Sequence, residues 1–197
     1  MIASTCFYHL RRLRQLKRHV GVEVMKQLLS SFIFSRLDYC NALLIGLPFS
    51  TIAPLQRVQN AAARLLGGLS RRDHVRPALK ELHWMPVVYR IQFKVALVMF
   101  TIHTRRCPDY LGDSVQACNS DPARTRLRSA SNTDYTVPRT RTKFGNRAFS
   151  VAGPVVWNSL PAAVREADSL HLFKRKLKTH LFTLCFKWLI DCFSKLL

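Results

Sequence analysis

The sequence predicts a mainly α protein that consists of a helical bundle, an Arg-rich linker and a small module of one β-hairpin and one helix. Leu, Val, Ile and Phe recur every three or four residues through most of the 197-residue chain, which is typical of amphipathic helices. One segment, residues 119–134, contains a single leucine and no aromatic residue, as solvated linkers do. We therefore expect a helical region over residues 1–118, a flexible basic linker over 119–134, and the hairpin and C-terminal amphipathic helix over 135–197.

Three helices are predicted in the first part of the chain. The first covers residues 6–19 and has no acidic residue on its polar face. The second covers residues 22–45 and ends before Pro48, because proline cannot continue a helix and disfavours one just before it. The third covers residues 51–66 and ends at a pair of glycines. The cations of the first helix are Arg11, Arg12, Arg14, Lys17 and Arg18.

Three further helices complete the predicted bundle. A short helix follows Asp73, which is a suitable residue to cap it. Apolar residues almost encircle the next helix, residues 87–103, so that helix is expected to be central and buried. A weak helix over residues 108–117 ends the region.

The C-terminal module is predicted to contain the β-hairpin. Residues 135–142 and 147–153 are short β-type runs, and the four residues between them, KFGN, supply turn chemistry. A long amphipathic helix then begins at Ser169.

The charge of the chain predicts a polyanionic partner. It contains 31 Lys and Arg residues against 11 Asp and Glu residues, a formal net charge of +20, although 48% of its residues are hydrophobic. Because the charges alternate with periodic apolar residues, they fit a folded basic surface that attracts polyanions by counterion release. RNA or DNA is the partner expected first, and acidic lipid headgroups are the competing polyanion.

The strongest candidate for the binding surface lies between residues 124 and 147, where seven cations accompany a single acidic residue. In an extended strand alternate residues share a face, so Arg139 and Arg141 are expected to project together. Phe144 and Phe149 could stack on bases, or the loop could be solvated with both rings filling the core.

Weaker candidates are the basic faces of the first and last helices. All of these cations are expected to hold phosphates and to position the nucleic acid without base readout. The residues assigned to nucleic-acid binding are Arg139, Arg141, Lys143, Arg147, Lys174, Arg175 and Lys178.

No catalytic residue, metal site or cofactor is predicted for this chain. It has no Asp-Asp pair, no GxxxxGK[ST] phosphate loop and no GxSxG nucleophile elbow. His180, Cys185 and Cys192 could be imagined as metal ligands, but the two cysteines fit an apolar helix face better. Trp84 and Trp157 are expected to anchor the core rather than to stack on bases.

An intracellular location, nucleus or cytoplasm, is expected. Arginines stand where a signal peptide needs an apolar run, and no stretch reaches 18 uncharged apolar residues. The six cysteines are scattered without a CxxC pair, which favours a reducing compartment. The apolar tail, residues 181–197, could lie in a membrane interface or dock on a partner, but packing on its own domain is favoured.

Five strings, in one order, resemble a known family. They are FSRLDYCNALLIGLP, LQRVQNAAARLL, DHVRPALKELHWMPVVYRIQFKVALV, VPRTRTKFGNRAFSVAGPVVWNSLP and FKRKLKTHLF, within about residues 6–182. The family is the jockey-like group of LINE-type (non-LTR) retrotransposon reverse transcriptases, whose carboxy-terminal part they resemble. The resemblance implies a thumb-like helical bundle followed by a basic extension. Full-length members copy their own RNA into DNA at a nicked target, with a polymerase and an apurinic-type endonuclease.

Departures from the family limit what the resemblance implies. The paired aspartates that hold two Mg²⁺ ions in the family's palm are not in this sequence, nor is the endonuclease or a Cys/His knuckle. The tail after Phe182 also departs from the family. Mg²⁺ is therefore expected only for the missing palm of the parent enzyme.

The expected function is a non-catalytic fragment of an RNA-directed DNA polymerase that grips template and primer through their phosphates. Its expected partners are RNA or an RNA–DNA duplex and the polymerase palm, and no membrane. Two alternatives remain at this point: an inert transposon-derived remnant without selected activity, and a membrane-surface protein that uses the tail helix.

Overall fold

The computed structural model describes residues 2–118 and 133–194, with side chains described as far as residue 187. Most of these residues are helical, so the mainly α prediction is confirmed. The predicted linker, residues 119–134, lies almost entirely outside the described residues. The chain divides into two compact units, one of Met1–Ile91 with Leu181–Leu197 and the other of Gln92–His180. The predicted boundaries at residues 118 and 134 do not coincide with these units, because two long helices contribute residues to both.

The helices of the first unit are short to medium in length. Among the described residues they are α1 (Ile2–Leu16), α2 (Val22–Leu29), α3 (Ser35–Asp38), α4 (Phe49–Gly67), α5 (Arg76–Glu81), the start of α6 (Val87–His103) and the end of α10 (Leu170–Ser194). A π turn, Ser30–Phe34, joins α2 to α3, and a 3-10 turn, Asn41–Leu44, follows α3.

The apolar stripes predicted from the sequence form the core of the first unit. Burying a leucine or methionine side chain stabilises a fold by roughly 1.5–3 kcal/mol, so this cluster holds its helices together. Its buried members include Cys6, Leu10 and Leu13 of α1, Met25 and Leu29 of α2, and Val58, Ala62 and Leu65 of α4.

The prediction of one helix over residues 22–45 is wrong beyond Asp38. The backbone turns to an extended conformation at Tyr39 and to the left-handed region at Cys40, where φ is 49°. Side-chain hydrogen bonds compete with the helix here, because the amide of Asn41 donates to the Asp38 carboxylate over 3.2 Å. The same carboxylate accepts from Nε of Arg90 over 2.9 Å, so a contact from α6 fixes the end of α3.

The second unit is built around α6, whose predicted span of residues 87–103 is confirmed at both ends. Val95, Ala96, Met99 and Phe100 of this helix are fully buried, as its apolar surface indicates. The other helical segments described in this unit are α7 (Asp109–Gly112), α8 (Phe149–Asn158), α9 (Ala162–Arg165) and the first part of α10. The predicted helix over 108–117 is thus a single turn.

The predicted β-hairpin is wrong. Within the described residues, the pairing at this part of the chain is one isolated bridge between Ala117 and Tyr135. Gly145 does not adopt the positive φ that a tight hairpin turn needs, and the residues from Gly145 to Arg147 form a 3-10 turn. Most of the second β-type run lies in α8, where Gly153 packs closely on Met99: a Cβ at Gly153 would lie 2.8 Å from the Met99 sulfur.

The start of the apolar tail is packed, as predicted, but on the first unit and not on the module of residues 135–197 to which it was assigned. Leu181 is buried, and Cys185 and Phe186 of α10 form a small buried cluster with Ala63 of α4 and Leu79 of α5. Among the helices that the structure describes, none combines the length and the apolar character that crossing a bilayer requires.

Candidate nucleic-acid interface

The extended segment at Tyr135 and Thr136, which precedes the predicted cations, is held by two sets of hydrogen bonds. The amide of Tyr135 donates to the side chain of Asn158 over 3.0 Å, and Asn158 donates back to the Tyr135 carbonyl over 2.8 Å. On the other side, the amide of Thr136 donates to the carbonyl of Gln116 over 2.8 Å. Residues 137–144 then leave this anchor and are exposed.

The loop that carries the predicted cations, residues 139–147, is closed by its own polar side chains. The hydroxyl of Thr142 accepts from the amide of Gly145 over 3.0 Å, and the Thr142 carbonyl accepts from the amide of Asn146 over 3.2 Å. The hydroxyl of Thr140 donates to the side-chain oxygen of Asn146. We call residues 139–147 the basic loop. These bonds give it a compact turn in place of the predicted strand.

The basic loop brings four of the seven predicted residues into one segment. Arg139, Arg141 and Lys143 are exposed, and Arg147 is half-buried. Among the described residues, none of the four lies within 4.0 Å of an acidic side chain. No acidic residue occurs in the chain between Asp134 and Glu166, so the positive charge of the loop is not neutralised nearby in sequence.

The two phenylalanines of this region have different environments. The ring of Phe144 is 77% exposed, and the guanidinium of Arg147 lies over it at 5.1 Å from the ring centroid. Phe149 is half-buried at the start of α8, where its ring covers Gly153. The stacking alternative therefore fits Phe144, and the core-filling alternative fits Phe149.

The remaining three predicted residues lie on α10. Lys174, Arg175 and Lys178 are exposed, and Lys174 and Lys178 are four residues apart, which puts them on one face of the helix. Lys176 on the same helix differs from them, because it donates to the carbonyl of Ala163 over 2.8 Å and so joins α10 to α9. In the described residues, no hydrogen bond, ion pair or ring contact links the α10 cations to the basic loop.

A second concentration of cations, not predicted from the sequence, lies in the first unit. Arg14 and Lys17 at the end of α1 line a cleft of about 760 Å³ together with Arg64 of α4 and Arg71 of the following loop. The only signal in the sequence was the basic face of α1, since about fifty residues separate it from Arg64 and Arg71.

The cysteines show no feature of a reactive or metal-binding site in the part of the chain that is described. Five of them are free thiols, and no group of three or more His, Cys, Asp or Glu side chains comes together there. Burial raises the pKa of Cys185 to about 11, so its thiol stays protonated at neutral pH and is a poor ligand or nucleophile. Trp157 is fully buried and Trp84 packs on the first core, which confirms both as core residues.

No protein-family model, curated protein or solved structure matches this chain.

Proposed function

We propose that this chain binds RNA or an RNA–DNA duplex through its phosphates and has no polymerase activity of its own. The observation that carries the proposal is the basic loop, in which three exposed cations and the half-buried Arg147 have no acidic partner and share one segment with an exposed aromatic ring. Cations track the backbone of a nucleic acid whatever its sequence, and an aromatic ring accepts any unpaired base by stacking. The resemblance to LINE-type reverse transcriptases supports the same conclusion.

In the parent enzyme that the resemblance implies, this region would grip template and primer behind the palm. The palm would supply the polymerase chemistry and its Mg²⁺ ions, and this chain would supply positioning contacts. Arg139, Arg141, Lys143 and Arg147 of the basic loop would hold one stretch of backbone. Lys174, Arg175 and Lys178 of α10 would hold another.

The first test removes the charge of the basic loop. Seven phosphate contacts give a log–log salt slope of roughly −5 to −6, so the variant R139A/R141A/K143A/R147A should bind with a slope reduced by about 3. Affinity should also fall more at low salt than at high salt, because the lost contacts are electrostatic. The measurement is fluorescence anisotropy with a labelled RNA strand and an RNA–DNA duplex, titrated between about 50 and 200 mM KCl.

A matched control variant separates the loop from net charge. R57A/K80A/K94A/R106A removes the same four positive charges from exposed positions outside both predicted surfaces. Its slope should stay near that of the parent chain. Equal losses in the two variants would contradict the assignment of the loop. If the folded, unsubstituted chain binds neither nucleic acid in low-salt buffer, the inert-remnant alternative replaces the proposal.

Phe144 supplies a second, independent prediction. Replacing it by alanine should weaken single-stranded RNA binding by about 1–3 kcal/mol, roughly 5- to 150-fold, because one stacked base loses its aromatic partner. Binding to the RNA–DNA duplex should hardly change, since paired bases are not available to stack. Phe144→Tyr keeps the aromatic face and should bind both nucleic acids as the parent chain does.

The control for Phe144→Ala is Tyr110→Ala, which removes an aromatic ring of similar exposure, 71%, from another part of the same unit. That variant should bind both nucleic acids normally. If Phe144→Ala loses the same affinity for single-stranded RNA and for the duplex, the ring supports the structure of the loop and does not stack on bases.

A further inference from the structure

The cleft between α1 and α4, with about 760 Å³, has the size of a small-ligand site, which is typically about 300–1,000 Å³. Four cations line it: Arg14, Lys17, Arg64 and Arg71. Arg14 and Arg71 are exposed, whereas Lys17 and Arg64 are half-buried. A concave site of this kind admits one or two nucleotides but does not enclose a convex duplex.

The end of α4 fixes the position of Arg64. Gly68 adopts the left-handed conformation, with φ of 65°, and its amide donates to the carbonyl of Arg64. The amide of Leu69 donates to the same carbonyl over 3.1 Å. Nζ of Lys17 lies 3.5 Å from the position that a Cβ at Gly68 would take, so the lysine reaches the end of α4.

Local negative charge does not balance the cleft. The ends of α1 and α4 each contribute about −0.5 charge, and the nearby Asp73 contributes one negative charge, so the four cations leave an excess of roughly +2. The Asp73 carboxylate already accepts a hydrogen bond from the backbone amide of Ser70 over 2.6 Å. The backbone carbonyl of Asp73 accepts one from the Arg64 guanidinium over 3.3 Å.

A second feature indicates that an anion completes the site. Nε of Arg64 is buried and finds no hydrogen-bond partner among the described residues. Buried donors in proteins are nearly always satisfied, and a guanidinium with free donors is suited to the oxygens of a phosphate. Arg64 therefore has an unsatisfied donor and lines the cleft together with the other three cations.

Apart from Gly68 and Ser70, the remaining lining is apolar and suits the nucleoside of the same ligand. Phe7, Ala61, Leu65 and Leu69 form this part of the cleft, and Phe7 is 37% exposed. An exposed ring beside a cationic pocket accepts a base by stacking while the pocket holds the phosphate.

We infer that the α1–α4 cleft binds a nucleotide phosphomonoester, specifically the phosphorylated end of a single nucleic-acid strand. A terminal phosphate carries about −1.5 to −2 charges at neutral pH, which matches the excess charge of the cleft better than the single charge of an internal phosphodiester. The inference rests on the proposed function, because it takes a nucleic acid as the partner, and it adds a preference for one end of the strand.

The test compares two RNA hexanucleotides that differ only in having a 5′-phosphate or a 5′-hydroxyl, each with a fluorescent label at its 3′ end. The phosphorylated strand should bind on the order of ten-fold tighter in low-salt buffer, as expected for charge-assisted hydrogen bonds to one additional charged group. The variant R14A/R71A should lose this preference. Both side chains are exposed, so the variant should fold normally.

The matched control is R12A/R72A, which removes two exposed arginines from the same two segments but outside the cleft lining. It should keep the preference for the 5′-phosphate. Adenosine 5′-monophosphate, titrated by calorimetry, separates a strand end from a free nucleotide: weak or no heat with a strong strand preference supports the strand end.

The outcomes also separate this inference from the proposed function. Equal binding of the two hexanucleotides overturns the inference and leaves the proposed function intact. Tight binding of the free nucleotide, equal to that of the strand, replaces the strand end with a soluble nucleotide as the ligand. If neither hexanucleotide nor the free nucleotide binds, the cleft is not an anion site.

Discussion

Replacing Trp157 by alanine should lower the free energy of unfolding by about 3–5 kcal/mol. The indole is fully buried in the second unit, with ring centroids of His103 at 5.0 Å and Phe173 at 6.0 Å. Its Nε1 donates to the carbonyl of Thr133 over 2.8 Å. Alanine would leave a large cavity and an unsatisfied carbonyl, and the two penalties add.

The measurement is urea unfolding followed by far-UV circular dichroism. Trp157→Phe is the informative companion, because it keeps an aromatic ring and loses only volume and the bond to Thr133, and it should cost about 1–2 kcal/mol. A loss below about 1 kcal/mol in Trp157→Ala would contradict a well-packed core around this residue.

Trp157→Phe also tests whether the anchor at Thr133 affects RNA binding. The segment before the basic loop is anchored through Thr133 and through the paired hydrogen bonds of Tyr135 with Asn158. Releasing one anchor while the unit stays folded should leave the salt slope of RNA binding unchanged and weaken the affinity slightly. A fixed slope follows because the number of phosphate contacts is set by the cations and not by the anchor.

The helices that the sequence predicted well are those whose position and ends depend on residues within the helix itself or next to it. Apolar residues almost encircle the helix at residues 87–103, so no other segment had to be known to predict a buried helix with these ends. The stop of α4 at Gly68 is equally local, since glycine readily adopts the left-handed backbone found there.

The errors occur where a distant residue decides the conformation. Residues 147–153 read as a β-type run, yet most of them lie in a helix in which Gly153 packs closely on Met99. The helix after residue 22 ends at Asp38 because Arg90, more than fifty residues later, holds that carboxylate. Neither contact is visible in the local pattern of apolar residues.

The two candidate sites differ in the same respect: one is formed by residues close together in sequence, and the other is formed only when distant segments pack. The cations of the basic loop are neighbours in sequence, so composition alone was enough to select them. The α1–α4 cleft combines residues from two helices and a loop, and it exists only after Leu10 and Leu13 have packed α1 against α4. A cluster of that kind cannot be recognised before the packing of the helices is known.

Gln59 is a buried polar residue that the apolar pattern of α4 did not reveal, and replacing it should have the second largest effect. Its side chain is fully buried, and its amide donates to the carbonyl of Met85 over 2.8 Å. Its oxygen accepts from Gln56 over 3.2 Å, and Gln56 in turn accepts from the amide of Val87 over 2.9 Å. Gln56 therefore caps the start of α6, where helix amides have no partner within the helix, and Gln59 holds both Gln56 and the residue Met85 before that helix.

Gln59→Ala should lower the free energy of unfolding by about 2–4 kcal/mol, because it leaves a cavity, strands the Met85 carbonyl and loosens Gln56. Gln59→Met fills most of the volume and removes only the hydrogen bonds, so it should cost about 1–3 kcal/mol. Urea unfolding measures both. If Gln59→Met is as stable as the unsubstituted chain, the hydrogen bonds of Gln59 add no net stability, and side-chain packing alone accounts for the contact between α4 and the start of α6.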